Sequence, residues 1–357
     1  MINVTKTYLP PLAEYTAHLK GIWEREWITN HGPLVQELEE KLKAHLGVKH
    51  LFFVANGTIA LQIAIKALGL RGEIITTPFS YVATTSSIAW ENCRPVFVDI
   101  NPRTLCLDST LLERAITAET TAIMATHVYG NPCEVEAIQA LAEKHGLKVI
   151  YDAAHAFGVQ HKGQSILNFG HASTLSFHAT KLFHTGEGGA IVTDDDALAF
   201  KISHMSNFGH DGPEHFSGLG INGKNSELHA AMGLCVLPRV TELIQCRQEI
   251  SNQYDRLLQG YGLTTPLISD AVRYNYAYYP VLFPNEEMLL AVTTALNEQQ
   301  IFPRRYFYPA LTDLNYVLPQ QAPVAQSVAE RILCLPLAHD LATATVQRIA
   351  AIIINSL

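Results

Sequence analysis

Between about residue 50 and residue 195 the sequence repeats one pattern, a short run of β-branched or aromatic residues followed by a longer stretch with apolar residues at helical spacing. The runs read HLFFVA, EIITT, PVFVDI, AIMATHV, KVIYD, TLSF and GAIVT, and segments such as TIALQIAIKALGL and EVEAIQALAEKHGL separate them. Strands that are apolar throughout must be covered on both faces. Helices alternating with them supply that cover, so the pattern predicts an α/β fold built on a mostly parallel, buried sheet.

Beyond this block, KNSELHAAMGLCVLPRVTELIQCRQEISNQYDRLLQ reads as one or two long helices leading outward. The remainder holds YYPVLF, NEEMLLAVTTALNEQQ and ATATVQRIAAIIINSL, enough for a smaller α/β domain. A boundary near residue 240 gives a large domain over 1–240 and a small C-terminal one over 241–357. A net charge of -8 offers no basic footprint, which argues against nucleic acid as a partner. Neither a leader pattern nor an apolar run long enough for a bilayer is present, so no membrane partner and a cytoplasmic protein are expected. Six cysteines are scattered without CxxC spacing and suit reduced thiols. Among sixteen histidines no HExxH appears, and His204, His210 and His215 sit in a polar, glycine-containing stretch, so no metal is expected.

In an open α/β sheet, ligands collect beyond the carboxyl ends of the strands. After HLFFVA, the residues Asn56, Gly57 and Thr58 can start a helix whose free N–H groups attract a phosphate; a simple helix cap is the ordinary alternative. After KVIYD, Asp152 ends an apolar strand, where a carboxylate needs a cation or hydrogen-bond donors, or else caps the next turn. After TLSF, HATK brings Lys181 to the same edge, though a single lysine is ordinarily a surface residue. The combination fits a phosphorylated pyridinium aldehyde, whose enzymes use a lysine for covalent attachment and an acid for the ring nitrogen. Phe79 and Tyr81, in TTPFSYVATTSS, offer an aromatic face.

The chain resembles the DegT/StrS-type sugar-nucleotide aminotransferases of the aspartate-aminotransferase fold, nearly end to end. WITNHGPLVQELEEKLKAHLGVKH, NGTIAL, IITTPFSYVAT, PVFVDI, HVYGNPCEVEAI, VIYDAAHAFG, SFHATKLFHTGEGGAIVT, GINGKNSELHAAMGL and RRYFYP carry the likeness, and SFHxxK with GEGGA is its most specific part. The resemblance implies pyridoxal phosphate as cofactor, with a pyridoxamine phosphate form between half-reactions, and a large domain with a seven-stranded sheet. It implies that Lys181 holds the cofactor covalently and moves the proton, that Asp152 faces the pyridine nitrogen, and that Tyr81 stacks on the ring. Gly57, Thr58 and Ser176 would hold the phosphate, and Asn225 would reach it from a second subunit, giving a homodimer with shared active sites. His155 stands where many members have Gln, near the phenolic oxygen, and a buried core histidine is its ordinary reading. Thr29, Asn30, His184, Lys224, Arg304, Arg305, Tyr306 and Tyr308 match regions near the sugar nucleotide; arginine forks suit a diphosphate.

The implied reaction takes the amino group of L-glutamate and places it on a keto group of a nucleotide-linked hexose. His178, Glu187 and Gly188 follow the pattern of members that aminate C4, similar to those acting on dTDP-4-keto-6-deoxyglucose, in glycan pathways such as O-antigen synthesis. The alternatives are amination at C3 and a non-catalytic sensor that binds the cofactor. A lysine-free dehydratase of the same fold is disfavoured by Lys181, and a nicotinamide dehydrogenase by the lack of GxGxxG after the first strand.

Overall fold

The computed structural model describes residues 1–357. The chain opens with a two-residue strand, β1 (Ile2–Asn3), and two helices, α1 (Leu12–Arg25) and α2 (Pro33–Leu46). The apolar runs then become β2 (His50–Val54), β3 (Glu73–Thr76), β4 (Arg94–Phe97), β5 (Thr120–Thr126) and β6 (Lys148–Asp152). After a small hairpin, β7 (Gln160–His161) and β8 (Gln164–Ser165), come β9 (Ala172–Ser176) and β10 (Gly189–Thr193). Seven of these strands form one sheet in the order β2-β10-β9-β6-β5-β3-β4. All its pairings are parallel except those of β10, which runs antiparallel to both neighbours, with Gly189 opposite Ser176 and Val54. The expected mostly parallel, buried sheet is present.

Neighbouring residues in a strand point to opposite faces, and the sheet is buried on both. Ile74, Met124, Ile150 and Ile191 face a cluster formed with α3 (Gly57–Ala67), α4 (Val82–Trp90) and α6 (Asp196–Met205). Ile75, Ile123, Tyr151 and Val192 face the larger cluster, which takes in α2, α5 (Val135–His145) and α7 (Glu227–Val236). The two helices read from KNSEL onward are α7 and α8 (Val240–Leu258), joined by a short turn that contains Pro238.

From α8 onward the chain builds a third cluster around Ile250, Tyr254, Leu289, Val292, Leu333 and Ile349. It includes α9 (Glu286–Glu298), the C-terminal helix Thr343–Asn355 and an antiparallel pair, Tyr279–Leu282 with Ile332–Leu335. Sequence order does not respect this grouping completely. β1 pairs with Ile301–Phe302, and the Val4 carbonyl accepts from the Leu337 amide, so the first residues lie in space with the last hundred.

Candidate active site

The carboxyl ends of β5, β6 and β9 and the start of β10 meet at one edge of the sheet, where the turns after them and the start of α3 enclose a cleft of about 250 Å³. Lys181 and Asp152 both line it. Lys181 lies in the loop between β9 and β10, half-buried, with its Nζ 5.9 Å from the centre of the Tyr278 ring. Asp152 is the last residue of β6 and is buried. Its Oδ2 accepts from the Thr84 hydroxyl at 2.6 Å and its Oδ1 from the Ala154 amide at 3.1 Å. Burial holds its carboxyl above the ordinary carboxylate value, and the Thr84 hydroxyl, the Ala154 amide and the Lys181 charge offset only part of that rise.

One wall of the cleft is the N-terminus of α3. Asn56 caps it through a 2.8 Å bond from the Ile59 amide to Oδ1, which leaves the Gly57 and Thr58 amides without partners in the helix. Glycine is favoured at 57 for space rather than for backbone freedom: a Cβ there would stand 3.0 Å from Ser176 Cβ. Gly189 has a similar cause, since its Cβ would stand 2.5 Å from the Asn56 carbonyl carbon. The GEGGA stretch thus lets β10 run tight against the start of α3, and the Ser176 side chain meets two free amides beside it. A cradle of this kind suits a phosphate.

His155 is buried, and its Nδ1 accepts the Tyr129 amide at 3.2 Å, so the neutral ring carries its proton on Nε2. Burial, helped by the Lys181 charge, holds its pKa well below the ordinary imidazole value. Its ring lies parallel to that of Phe307, with centroids 5.7 Å apart. Tyr81 is exposed at the cleft mouth, its ring 6.2 Å from that of buried Tyr306. Arg304 also lines the cleft, its guanidinium 4.6 Å from the centre of the Tyr306 ring. Gly57, Thr58, Tyr81, Asp152, His155, Ser176, Lys181, Arg304 and Tyr306 therefore line one cleft.

Other candidates lie elsewhere. His184 is buried away from the cleft, with Nε2 bonded to the Tyr8 carbonyl at 2.6 Å and Nδ1 accepting the Gly186 amide at 3.2 Å, so neither nitrogen is free for a ligand. Arg305 pairs with Glu286 outside the cleft, and the Tyr308 ring stacks on it with its centre 3.4 Å from the guanidinium carbon. Lys224 donates to Asn207 Oδ1 at 2.8 Å and lies over the Phe208 ring. Asn225 donates to the Val54 and Glu187 carbonyls, and both it and Lys224 border a separate pocket of about 310 Å³. The exposed Thr29 and Asn30 belong to that side of the molecule, because the neighbouring Ile28 carbonyl accepts from the Glu227 amide.

Sequence reasoning missed Thr84, Ser80, Thr126, Tyr129, Tyr278 and Phe307. Thr84 alone had a local signal, its place three residues after Tyr81 at the start of a helix. Tyr278 and Phe307 come from distant segments and had none. A larger cavity of about 670 Å³, flanked by α8 and the chain from Thr265 to Pro280, is lined by Tyr129 and Tyr278 and contains neither Lys181 nor Asp152.

Known proteins share the sequence and the fold of this chain. The profile of the DegT/DnrJ/EryC1/StrS aminotransferase family matches residues 12–354. The chain is 43% identical to the dTDP-4-amino-4,6-dideoxy-D-glucose transaminase of Shigella dysenteriae, covering 99% of this chain and 98% of that protein. It is 39% identical to the Escherichia coli enzyme of the same name, over 100% of this chain and 99% of that one. The crystal structure of DesI with its TDP-sugar product superposes with a TM-score of 0.94 at 32% identity, covering 99% of this chain and 92% of that one. Lysine, buried acid and phosphate cradle are the set that pyridoxal phosphate needs. The chain belongs to the DegT/DnrJ/EryC1/StrS aminotransferase family and is a pyridoxal-phosphate-dependent enzyme.

Proposed function

We propose that this enzyme moves the amino group of L-glutamate to C4 of a nucleotide-linked 4-keto-6-deoxyhexose, dTDP-4-keto-6-deoxyglucose, for cell-surface glycans such as O-antigen. The observation that carries the reading is the meeting of Lys181 with Asp152 beside the free amides of α3, in a chain alike over its full length to two transaminases of that substrate class. The bound cofactor would take up the nitrogen, and its protonated ring would withdraw electrons from the bond that breaks. Gly57, Thr58 and Ser176 would hold its phosphate, and Asp152 would keep the ring nitrogen protonated. Lys181 Nζ takes the proton from the donor carbon and returns one to the sugar carbon, as general base and then general acid. His155, with Nδ1 occupied by the Tyr129 amide, would present Nε2–H to the cofactor's phenolic oxygen, and Arg304, on the rim, suits the diphosphate.

The subunits would act in pairs. Asn225, Lys224, Thr29 and Asn30 lie outside their own chain's cleft, and exposed Trp27, Ile28 and Phe208 adjoin them, as expected of a surface that a second copy covers. In that arrangement Asn225 reaches the partner's phosphate. No helix is long and apolar enough to cross a membrane, and we place the enzyme in the cytoplasm. The division into 1–240 and 241–357 belongs to the same proposal, with α8 as the crossing element.

The test is an absorbance spectrum of the protein with pyridoxal phosphate, before and after L-glutamate, in the native enzyme and in Lys181→Ala. The native visible band should fade with glutamate, and the variant should lose this response. NMR of the product from dTDP-4-keto-6-deoxyglucose should then show nitrogen at C4. Nitrogen at C3 would refute the regiochemistry, and a band indifferent to glutamate would favour a sensor.

A further inference from the structure

Behind Asp152 runs a row of buried hydroxyls. Thr84 Oγ1 donates to Asp152 Oδ2 at 2.6 Å, Ser80 Oγ lies 2.7 Å from Thr84 Oγ1, and Thr126 Oγ1 lies 3.1 Å from Ser80 Oγ. All four residues are buried. The fold sets the row deliberately in place: Thr126 ends β5 directly opposite Asp152 in register, Ser80 precedes α4, and Thr84 sits in its first turn.

Proton counting gives the row a direction. A hydroxyl has one proton to donate, and an ionised carboxylate only accepts. With Asp152 ionised, the Thr84 proton is committed to Oδ2, so the Thr84 oxygen accepts from Ser80 and the Ser80 oxygen accepts from Thr126. The three O–H dipoles then point one way, toward the negative charge. Protonation of Asp152 on Oδ2, with that proton given to Thr84, would reverse the row. The Thr126 hydroxyl bonds only to Ser80, so in the reversed row its proton would have no acceptor in the protein.

We propose that Thr84, backed by Ser80 and Thr126, is a positioning residue that holds Asp152 ionised and turned toward the ring nitrogen of the cofactor. The inference rests on the reading of Asp152 as the partner of that nitrogen. Electrostatics agree: against burial, which pushes the Asp152 carboxyl up, the Thr84 hydroxyl is the foremost group drawing it down, ahead of the Ala154 amide and the Lys181 charge. The cleft's other ionisable groups are Lys181, His155, His178, Glu187 and Arg304, with the phenols Tyr81 and Tyr306. His127, on the turn after β5, is held neutral by burial. Of all these, Lys181 is the group whose charge acts on Asp152, and substitution of Thr84 leaves it in place.

The experiment uses holoenzyme loaded with pyridoxal phosphate isotope-labelled at the ring nitrogen, whose NMR shift reports protonation as pH rises. In the native protein the ring nitrogen should stay protonated. In Thr84→Val the ratio of protonated to unprotonated nitrogen at the alkaline end should fall about tenfold, which is about one pKa unit. Thr84→Ser should restore it, an outcome that a purely structural role of the methyl group does not predict. Ser80→Ala breaks the row one link away and should shift the ratio in the same direction by less, which keeps the test open if Thr84→Val folds poorly. Asp152→Asn is the reference, expected to strip the proton across the neutral and alkaline range. If Asp152→Asn does so while Thr84→Val and Ser80→Ala titrate as the native enzyme, the hydroxyl row has no such role and the reading of Asp152 stands. If Asp152→Asn leaves the nitrogen protonated, the reading of Asp152 itself fails.

Discussion

Glu227→Gln is a one-atom change whose effect can be worked from the structure. The Glu227 side chain is wholly buried, with Oε2 accepting the Leu34 amide at 3.0 Å and Oε1 the Val35 amide at 2.9 Å. These amides open α2 and have no partner within it. Glutamine keeps one acceptor oxygen and turns an NH2 group toward the other amide. A stranded buried donor costs about 1–3 kcal/mol, and loss of a carboxylate at a buried helix start adds up to about 2 kcal/mol. Cheaper burial of the neutral amide offsets part of this, leaving a net loss of about 1–4 kcal/mol. Arg25, at 3.6 Å and partly exposed, adds little. Local opening of α2 should therefore become about 5-fold to 1000-fold more frequent. Hydrogen exchange of the holoenzyme, followed by mass spectrometry over residues 30–38, reads this directly. Unchanged protection there would show that the two bonds do not hold the start of α2, and the reasoning would fail.

Acid should weaken the fold through His127, whose Nδ1 accepts the Cys133 amide at 3.1 Å and whose pKa burial lowers from its ordinary 6.5 to about 3. A depressed folded pKa gives stability that is complete above the unfolded value and is lost as pH falls from there toward about 3, so pH 5 should cost about 2 kcal/mol relative to neutrality. Urea unfolding at both pH values should show that loss and show less of it in His127→Asn; equal pH dependence in the two proteins would contradict the assignment. For the shared active site, Lys181→Ala and Asn225→Ala should each be nearly inactive alone. After mixing and subunit exchange they should recover up to about a quarter of native activity, because half the exchanged dimers carry one intact site. No recovery from a confirmed mixed dimer would place Asn225 in its own chain's function.

The strands were legible because each is a short apolar run bounded by turn residues: KVIYD is β6 from Lys148 to Asp152, and GAIVT is β10. PVFVDI was legible only in part. Pairing stops at Phe97 because the chain turns so that the Asp99 carboxylate can accept the Val324 and Ala325 amides, a contact more than two hundred residues away in sequence. The same distinction governs the site. Lys181, Asp152 and Gly57 follow strands, so strand order alone brings them to one edge. Tyr278 and Phe307 reach the site across gaps that no local pattern encodes. His184 looked like a ligand because it closely follows Lys181, yet the loop turns inward there and both ring nitrogens are spent on backbone.

The reversed strand β10 has a kinetic meaning. Since it runs back beside β9, with Gly189 opposite Ser176, the loop bearing Lys181 leaves and re-enters the sheet at the same edge. The Phe177 amide bonds the Gly188 carbonyl at 2.7 Å and the Thr185 amide bonds the Phe177 carbonyl at 2.9 Å, tying the loop at its base. A lysine on a free-ended lid would have to search for its target after each turnover. This one is moored at both ends, so only its own four-carbon arm can swing, and the amine stays at hand as an intramolecular reactant. Well-oriented intramolecular groups reach effective concentrations of about 10⁵ M or more. By spending one antiparallel pairing in a parallel sheet, the fold turns the amine's return from an encounter into a short side-chain movement.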